Sequence, residues 1–342
     1  MTRFFLLISL TIFNPVHLIA NDAWIDSTIN LTINTKFEKA LAVVNSQLDS
    51  DPNDYRAYFY LAATLNSRMI HFENQNDAAP FETAIDSTIR ITERNLVMQD
   101  PPADSVHADL LFYQASAYGY LAYFQGRAGQ WLPALSNGIK ANNLFNETIE
   151  FDSTMYDAYL GIGTFKYWRY SKLAFISWLP FIPDDRDEGI ALIRKCIAHH
   201  TRSRYLAMHQ LTYILVDYDN TAEAVSIGRQ LIQRYPESQF MWWAAARAYE
   251  KNNDFVEAVA AYRKLMELLE ADPNANPNHI VRCGLKLAEV YQLAGEYAEC
   301  YSVCANLINR MKTLDLPDKN DRLSSVTDLM DACRNNLTGP HR

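Results

Sequence analysis

The stretch Trp242-Trp243-Ala244-Ala245-Ala246-Arg247-Ala248-Tyr249, continued by Asn253-Asp254-Phe255, Ala258, Tyr262 and Leu265, decides the fold. Its apolar residues recur with the period of a helix that buries one face. Asn253-Asp254 interrupts the pattern, which resumes at Phe255. Two helices joined by so short a turn lie antiparallel. Small residues at Ala246 and Ala258 let the two approach closely, and Trp242, Tyr249 and Tyr262 fill the space above and below that contact. One such pair cannot bury its apolar face alone, so neighbouring pairs must stack.

Upstream, Ala224, Gly228, Leu231 and Pro236 match the second half of the same pattern, and Ala224 to Ala258 is 34 residues. On these residues the sequence resembles the tetratricopeptide repeat, whose signature is an aromatic, Leu with a small residue, Tyr, then Ala, an aromatic and a closing Pro. The resemblance implies an all-α fold, a right-handed superhelical array of antiparallel helix pairs (an α-solenoid). Further copies read from Phe37, Ala40 and Val44, from Tyr58, Leu61 and Ala62, and from Tyr118, Leu121 and Ala134. Others begin at Tyr159, Ile162 and Gly163, at Tyr205, Met208 and His209, and at Leu287, Ala288 and Tyr291. The spacing Ala40 to Ala84 is 44 and Ala84 to Ala134 is 50, so the early helices are expected to be longer. Residues 318–337 read as a C-terminal capping helix, with Leu323, Val326, Leu329, Met330 and Cys333 on one stripe.

Composition agrees. Gly (11) and Pro (13) together make about 7% of 342 residues, against roughly 12% in average usage. Proline costs about 3 kcal/mol inside a helix. Here Pro52, Pro101, Pro102, Pro180, Pro183, Pro236, Pro273, Pro277 and Pro317 fall in expected connections, with Pro80 and Pro133 near helix starts. An apolar fraction of 49% rules out wholesale disorder. The net charge of −9 argues against nucleic acid, which needs a basic footprint, and against docking on an anionic membrane by charge.

Residues 1–20 place Arg3 before the apolar run Phe4 to Phe13. A run of ten residues is too short for a span of about 20, so the segment is expected to be a cleaved signal peptide. Nothing later is apolar enough to cross a bilayer. Residues 21–342 are expected to form a single helical repeat domain, exported to the periplasm or extracellular space. The five cysteines form no disulfide framework, although an oxidising compartment permits one pair. Cys300 and Cys304 read as small apolar core residues.

An apolar insertion at about 170–185 stretches the pattern between Gly163 and Gly189. The order of Gly163, Phe165, Ser177-Trp178-Leu179-Pro180 and a charged lead into Gly189-Ile190 makes 159–190 weakly similar to a eukaryotic tetratricopeptide family. That family includes the yeast inclusion-body clearance protein. The insertion reads either as a cover for the core or as an apolar ridge for a partner or an acyl chain. Asp184, Asp185, Asp187 and Glu188 sit where a helix N-terminus favours negative charge.

Chemistry is hard to find. No P-loop, dinucleotide turn, zincin motif or nucleophile elbow occurs, so no cofactor, metal or catalytic residue is expected. His209 stands where the repeat wants a small residue and reads as a packed structural histidine. The resemblance implies a concave groove lined by the first helix of each pair. Aromatic and Arg residues on those helices are the expected partner contacts: Phe240, Trp243, Arg247, Tyr167, Trp168 and Tyr213, with Trp178 and Phe181 from the insertion. Trp243 and Arg247, one turn apart, are the expected contact pair. The leading reading is an exported, non-enzymatic scaffold that binds a protein or peptide partner. The alternative is an envelope protein that binds a glycan or lipid ligand, with an enzyme built from scattered residues as a third reading.

Overall fold

The computed structural model describes residues 22–98, 104–173, 183–314, 316 and 318–338. Residues 1–20, read as the signal, lie outside them. The described residues hold fifteen helices. In chain order they are α1 (Ala23–Ile33), α2 (Phe37–Ser50), α3 (Tyr55–Phe72), α4 (Ala78–Met98) and α5 (Asp104–Arg127). Next come α6 (Trp131–Phe151), α7 (Ala158–Leu173), α8 (Arg186–Ala198), α9 (Arg204–Asp217) and α10 (Thr221–Arg234). The last five are α11 (Gln239–Lys251), α12 (Phe255–Ala271), α13 (Pro277–Leu293), α14 (Tyr297–Thr313) and α15 (Lys319–Thr338). Each packs on its neighbours in sequence, and α1 to α14 form seven pairs stacked in series, a TPR-like α-solenoid. The expected long early helices are α4, α5 and α6, at 21, 24 and 21 residues.

The turns within pairs share one backbone device. A residue in the left-handed region closes the first helix at Thr35, Glu73, Gly129, Asp219, Asn253 and Gly295. Gly, Asn and Asp accept that conformation readily. Thr35 and Glu73 are less suited to it, and both belong to the first two pairs. Three junctions between pairs use aspartate instead, while the junction of pairs four and five holds His200 in the left-handed region. The side chains of Asp51, Asp152 and Asp272 accept from the amides of Asn53, Thr154 and Asn274 at 2.8–2.9 Å, an Asx turn that reverses the chain without glycine.

Packing follows the small-residue logic. Ala244, Ala245, Ala246, Ala248 and Ala258 are fully buried beneath Tyr249 and Tyr262. Trp242 is half-buried and its indole N–H donates to the Pro236 carbonyl at 2.8 Å. One apolar cluster runs without a break from Tyr159 to Cys333, with smaller clusters under the earlier pairs. On α15, Val326 and Cys333 are buried against α14, as the capping stripe requires.

Two expectations are corrected here. Cys300 is not a simple core residue: it forms a disulfide with Cys333 that ties α14 to α15, while Cys304 stays a buried free thiol. The acidic lead into α8 does more than face a helix N-terminus. Asp185 pairs with Lys166 and Arg169 and Glu188 with Lys166, so these two carboxylates tie α8 to α7, while Asp184 pairs with Arg186 at the start of α8 itself.

Candidate functional site

Apart from neighbours in sequence, the helices that touch across successive pairs are first helices, which puts them on the inner, concave side of the coil. From α5, α9, α11 and α13 they bring Tyr123, Tyr213, Arg247 and Arg282 within electrostatic reach of one another. Tyr123 on α5 keeps 49% exposure, yet burial still pushes its phenol up, with Arg127 opposing. Tyr213 on α9 is half-buried, and burial pushes it up to about 12. The Tyr123 phenol adds to that rise, and Arg247 and Arg282 oppose it. Tyr123, Tyr213, Arg247 and Arg282 thus form one electrostatic group. His209 adjoins it. Its ring meets Tyr213 edge-on with centroids 5.1 Å apart, and burial brings its pKa down to about 4. It stands neutral at pH 7, packed as expected.

The residues expected to contact a partner separate here. Tyr213 interacts with Arg247 and Arg282, Arg282 lies over Trp243, and the Phe240 ring meets His71 with centroids 5.9 Å apart. Tyr167 does not belong with them. It is fully buried, and its hydroxyl donates to Asp217 at 2.7 Å, so it is a core residue joining α7 to the end of α9. Trp168 is half-buried against the same core, edge-on to Tyr167 at 5.1 Å. Trp178 and Phe181 lie outside the described residues. Trp243 also has a cation from a neighbouring helix. The guanidinium over the Trp243 ring, 5.1 Å from its centroid, belongs to Arg282 on α13. A neighbouring pair supplies the cation because stacking sets α13 beside α11, a relation that spacing along one helix cannot contain.

A second feature has no signature in the sequence. The coil closes on itself. The turn of the first pair meets the junction between pairs five and six. There Ser238 Oγ donates to the Ile33 carbonyl at 2.6 Å, the Tyr235 hydroxyl donates to Asn30 at 3.1 Å, and Lys36 pairs with Glu237 at 3.3 Å. The turn of the second pair meets the junction between pairs six and seven. Asn276 Nδ2 donates to the Phe72 carbonyl at 2.6 Å, and His71 Nε2 lies 3.2 Å from Asp272. Arg202, ahead of α9, reaches Asp22 at 2.7 Å and Asp26 at 3.4 Å. Most of these partners are 201 to 205 residues apart in the chain. A near-constant offset is what one turn of a superhelix produces when it stacks in register on the next.

At this seam His71 is 3% exposed, enclosed by the rings of Phe37, Phe72, Phe240 and His279. Burial pushes its pKa down against the pull of Asp272. Glu73 Oε1 accepts from His279 Nε2 at 2.8 Å and from Arg282 Nη1 at 2.6 Å. The His279 hydrogen bond holds this carboxyl down at about 2, with Arg282 adding to it. The seam therefore reaches the concave space directly, because Arg282 touches Glu73 and Trp243 together.

Among the described residues no group of three or more His, Cys, Asp or Glu side chains is arranged to hold a metal, and no helix is long and apolar enough to cross a membrane.

No family model matches the chain, and no curated protein matches it in sequence. Solved structures do resemble it. The Cut9–Hcn1 hetero-tetramer of the APC/C matches with a TM-score of 0.52 at 12% identity, covering 96% of this chain and 55% of that one. This chain thus spans about half the length of that neighbour. The C-terminal part of a TPR repeat-containing protein from Cytophaga hutchinsonii matches at 0.43 and 16% identity, covering 86% of this chain and 96% of that one. PilW, a type IV pilus biogenesis factor, matches at 0.44 and 13% identity, covering 92% and 99%. At such identities the likeness to Cut9 concerns the fold, and the fold is TPR-like.

Proposed function

We propose that this chain is an exported, non-enzymatic interaction scaffold that binds a protein segment in its concave space. The observation that carries the reading is that Tyr123, Tyr213, Trp243, Arg247 and Arg282, from four separate helices, interact as one group while Tyr123 and Arg247 stay exposed. Aromatic and arginine side chains give large contact area and directional hydrogen bonds at modest entropic cost, which is why they dominate binding hot spots. Arg247 is exposed, and no carboxylate among the described residues pairs with it, so its guanidinium is available to a partner. Neighbours such as PilW, a pilus biogenesis factor, fit an envelope setting. Export draws support from the apolar run at 4–13 and from the Cys300–Cys333 disulfide, which persists in an oxidising compartment.

The test is capture from the native envelope with the purified chain and three variants. Tyr123→Glu and Arg247→Glu alter the concave space, and Val256→Glu alters an outer position that is 75% exposed. A partner retained by the wild type and by Val256→Glu but lost by the two concave variants is the expected result. A partner lost only by Val256→Glu would overturn the reading.

A further inference from the structure

Glu73 occupies a site that looks made for someone else's carboxylate. His279 is 6% exposed and presents Nε2 to it, Arg282 presents a guanidinium N–H, and the far face of that guanidinium lies on Trp243. A buried imidazole and a ring-backed arginine form a fixed donor pair of the kind that recognises carboxylates. The group that fills it is held at a backbone cost. Glu73 has φ 47°, and the other seam turn holds Thr35 at φ 58°. The equivalent turns away from the seam use Gly129, Asp219, Asn253 and Gly295, residues that tolerate this conformation. The poorly suited residues thus sit in the two turns that dock across the coil, and strain of this kind marks elements held by their surroundings.

We propose that Glu73 is an internal stand-in for a partner carboxylate. An acidic side chain of the bound segment replaces it between His279 and Arg282, next to Trp243, and frees the turn of the second pair from the seam. The partner class is therefore an acidic segment carrying apolar or aromatic residues for the Tyr123–Tyr213–Trp243 surface. This rests on the concave space being the binding surface. It adds that the closed coil is self-occupied and that binding competes with closure.

The probe is a dye-labelled twelve-residue peptide of alternating Glu and Phe, amidated at its C-terminus, with a Gln-for-Glu version as control. A free-acid version of the control reports whether a terminal carboxylate alone suffices, which would overturn the assignment to a side chain. Fluorescence anisotropy is expected to give at least tenfold tighter binding of the Glu peptide to Glu73→Gln than to the wild type. Glu73→Gln/Arg282→Gln is expected to lose that gain, and the Gln peptide to show none. Equal binding by wild type and Glu73→Gln, or no binding by Glu73→Gln up to millimolar peptide, overturns the proposal. If Glu73→Gln does not fold, amide exchange of wild-type residues 70–76 with saturating Glu peptide decides. Faster exchange supports displacement, and unchanged exchange overturns it. Loss of peptide by Tyr123→Glu with equal binding by wild type and Glu73→Gln would remove the displacement while leaving the concave reading intact. Envelope capture that ignores Tyr123→Glu would remove the concave reading itself.

Discussion

Gly163 and Gly189 stand face to face where α7 crosses α8. A Cβ on Gly163 would lie 2.4 Å from the Gly189 carbonyl oxygen, and one on Gly189 would lie 2.7 Å from the Gly163 oxygen. The two backbones touch, so neither position has room for a side chain. Beside that contact Lys166 on α7 meets Asp185 and Glu188 at the start of α8.

Gly163→Ala should therefore destabilise the chain by roughly 2 kcal/mol or more, because the obstruction is backbone that cannot rotate away. Gly119→Ala is the control. Its Cβ would meet only Ala141 Cβ at 4.0 Å inside α5, and replacing a mid-helix glycine stabilises by about 0.5–1 kcal/mol. Urea unfolding of both variants checks the pair, and equal stabilities would refute the close crossing.

The Cys300–Cys333 bond closes a loop of 33 residues, for which chain entropy gives about 3–4 kcal/mol. Thiol titration of the denatured, unreduced protein should find three free thiols, those of Cys196, Cys283 and Cys304. Cys333→Ser should lower the melting temperature and release α15 first. Five titratable thiols in protein purified from its own envelope would contradict the bond.

His209 makes stability depend on pH. Burial brings its pKa from 6.5 to about 4, so the unfolded chain takes up the proton first as pH falls. The stabilising contribution is complete above about pH 6.5 and is lost progressively towards pH 4, on the order of 2–3 kcal/mol. His209→Gln should flatten the melting temperature across that window. A variant whose pH profile overlays the wild type would mean that the ring is solvated.

Arg202 holds the start of α1 through Asp22 and Asp26, and its side chain is 39% exposed. Arg202→Glu should cost only about 1 kcal/mol, as partly exposed pairs do, but it should loosen the seam. Small-angle scattering should then give a larger radius of gyration, and salt near 0.5 M should move the wild type the same way by screening. A radius insensitive to both would mean that the other seam contacts, such as Ser238 with Ile33 and Asn276 with Phe72, keep the coil closed without Arg202.

The helical repeat was legible because it is local. Ala246, Ala258, Tyr249 and Tyr262 lie within one pair, and their spacing states the contact they make. The prolines and the Asn253-Asp254 turn mark the joints for the same reason. The candidate site was legible in part: Phe240, Trp243, Arg247 and Tyr213 were readable as residues on the first helix of a pair. Tyr167 has the same composition and register, but its hydroxyl finds Asp217 fifty residues away, and that partner makes it core.

What residue order could not state is how far the coil turns. That depends on small rotations at every junction, summed over several pairs, and no short window of sequence records a sum. Stacking decides it, and its outcome places Glu73 against His279 and Arg282, and Arg282 against Trp243. Periodicity made the chain an array of helix pairs. Contacts about 200 residues apart made that array a closed coil.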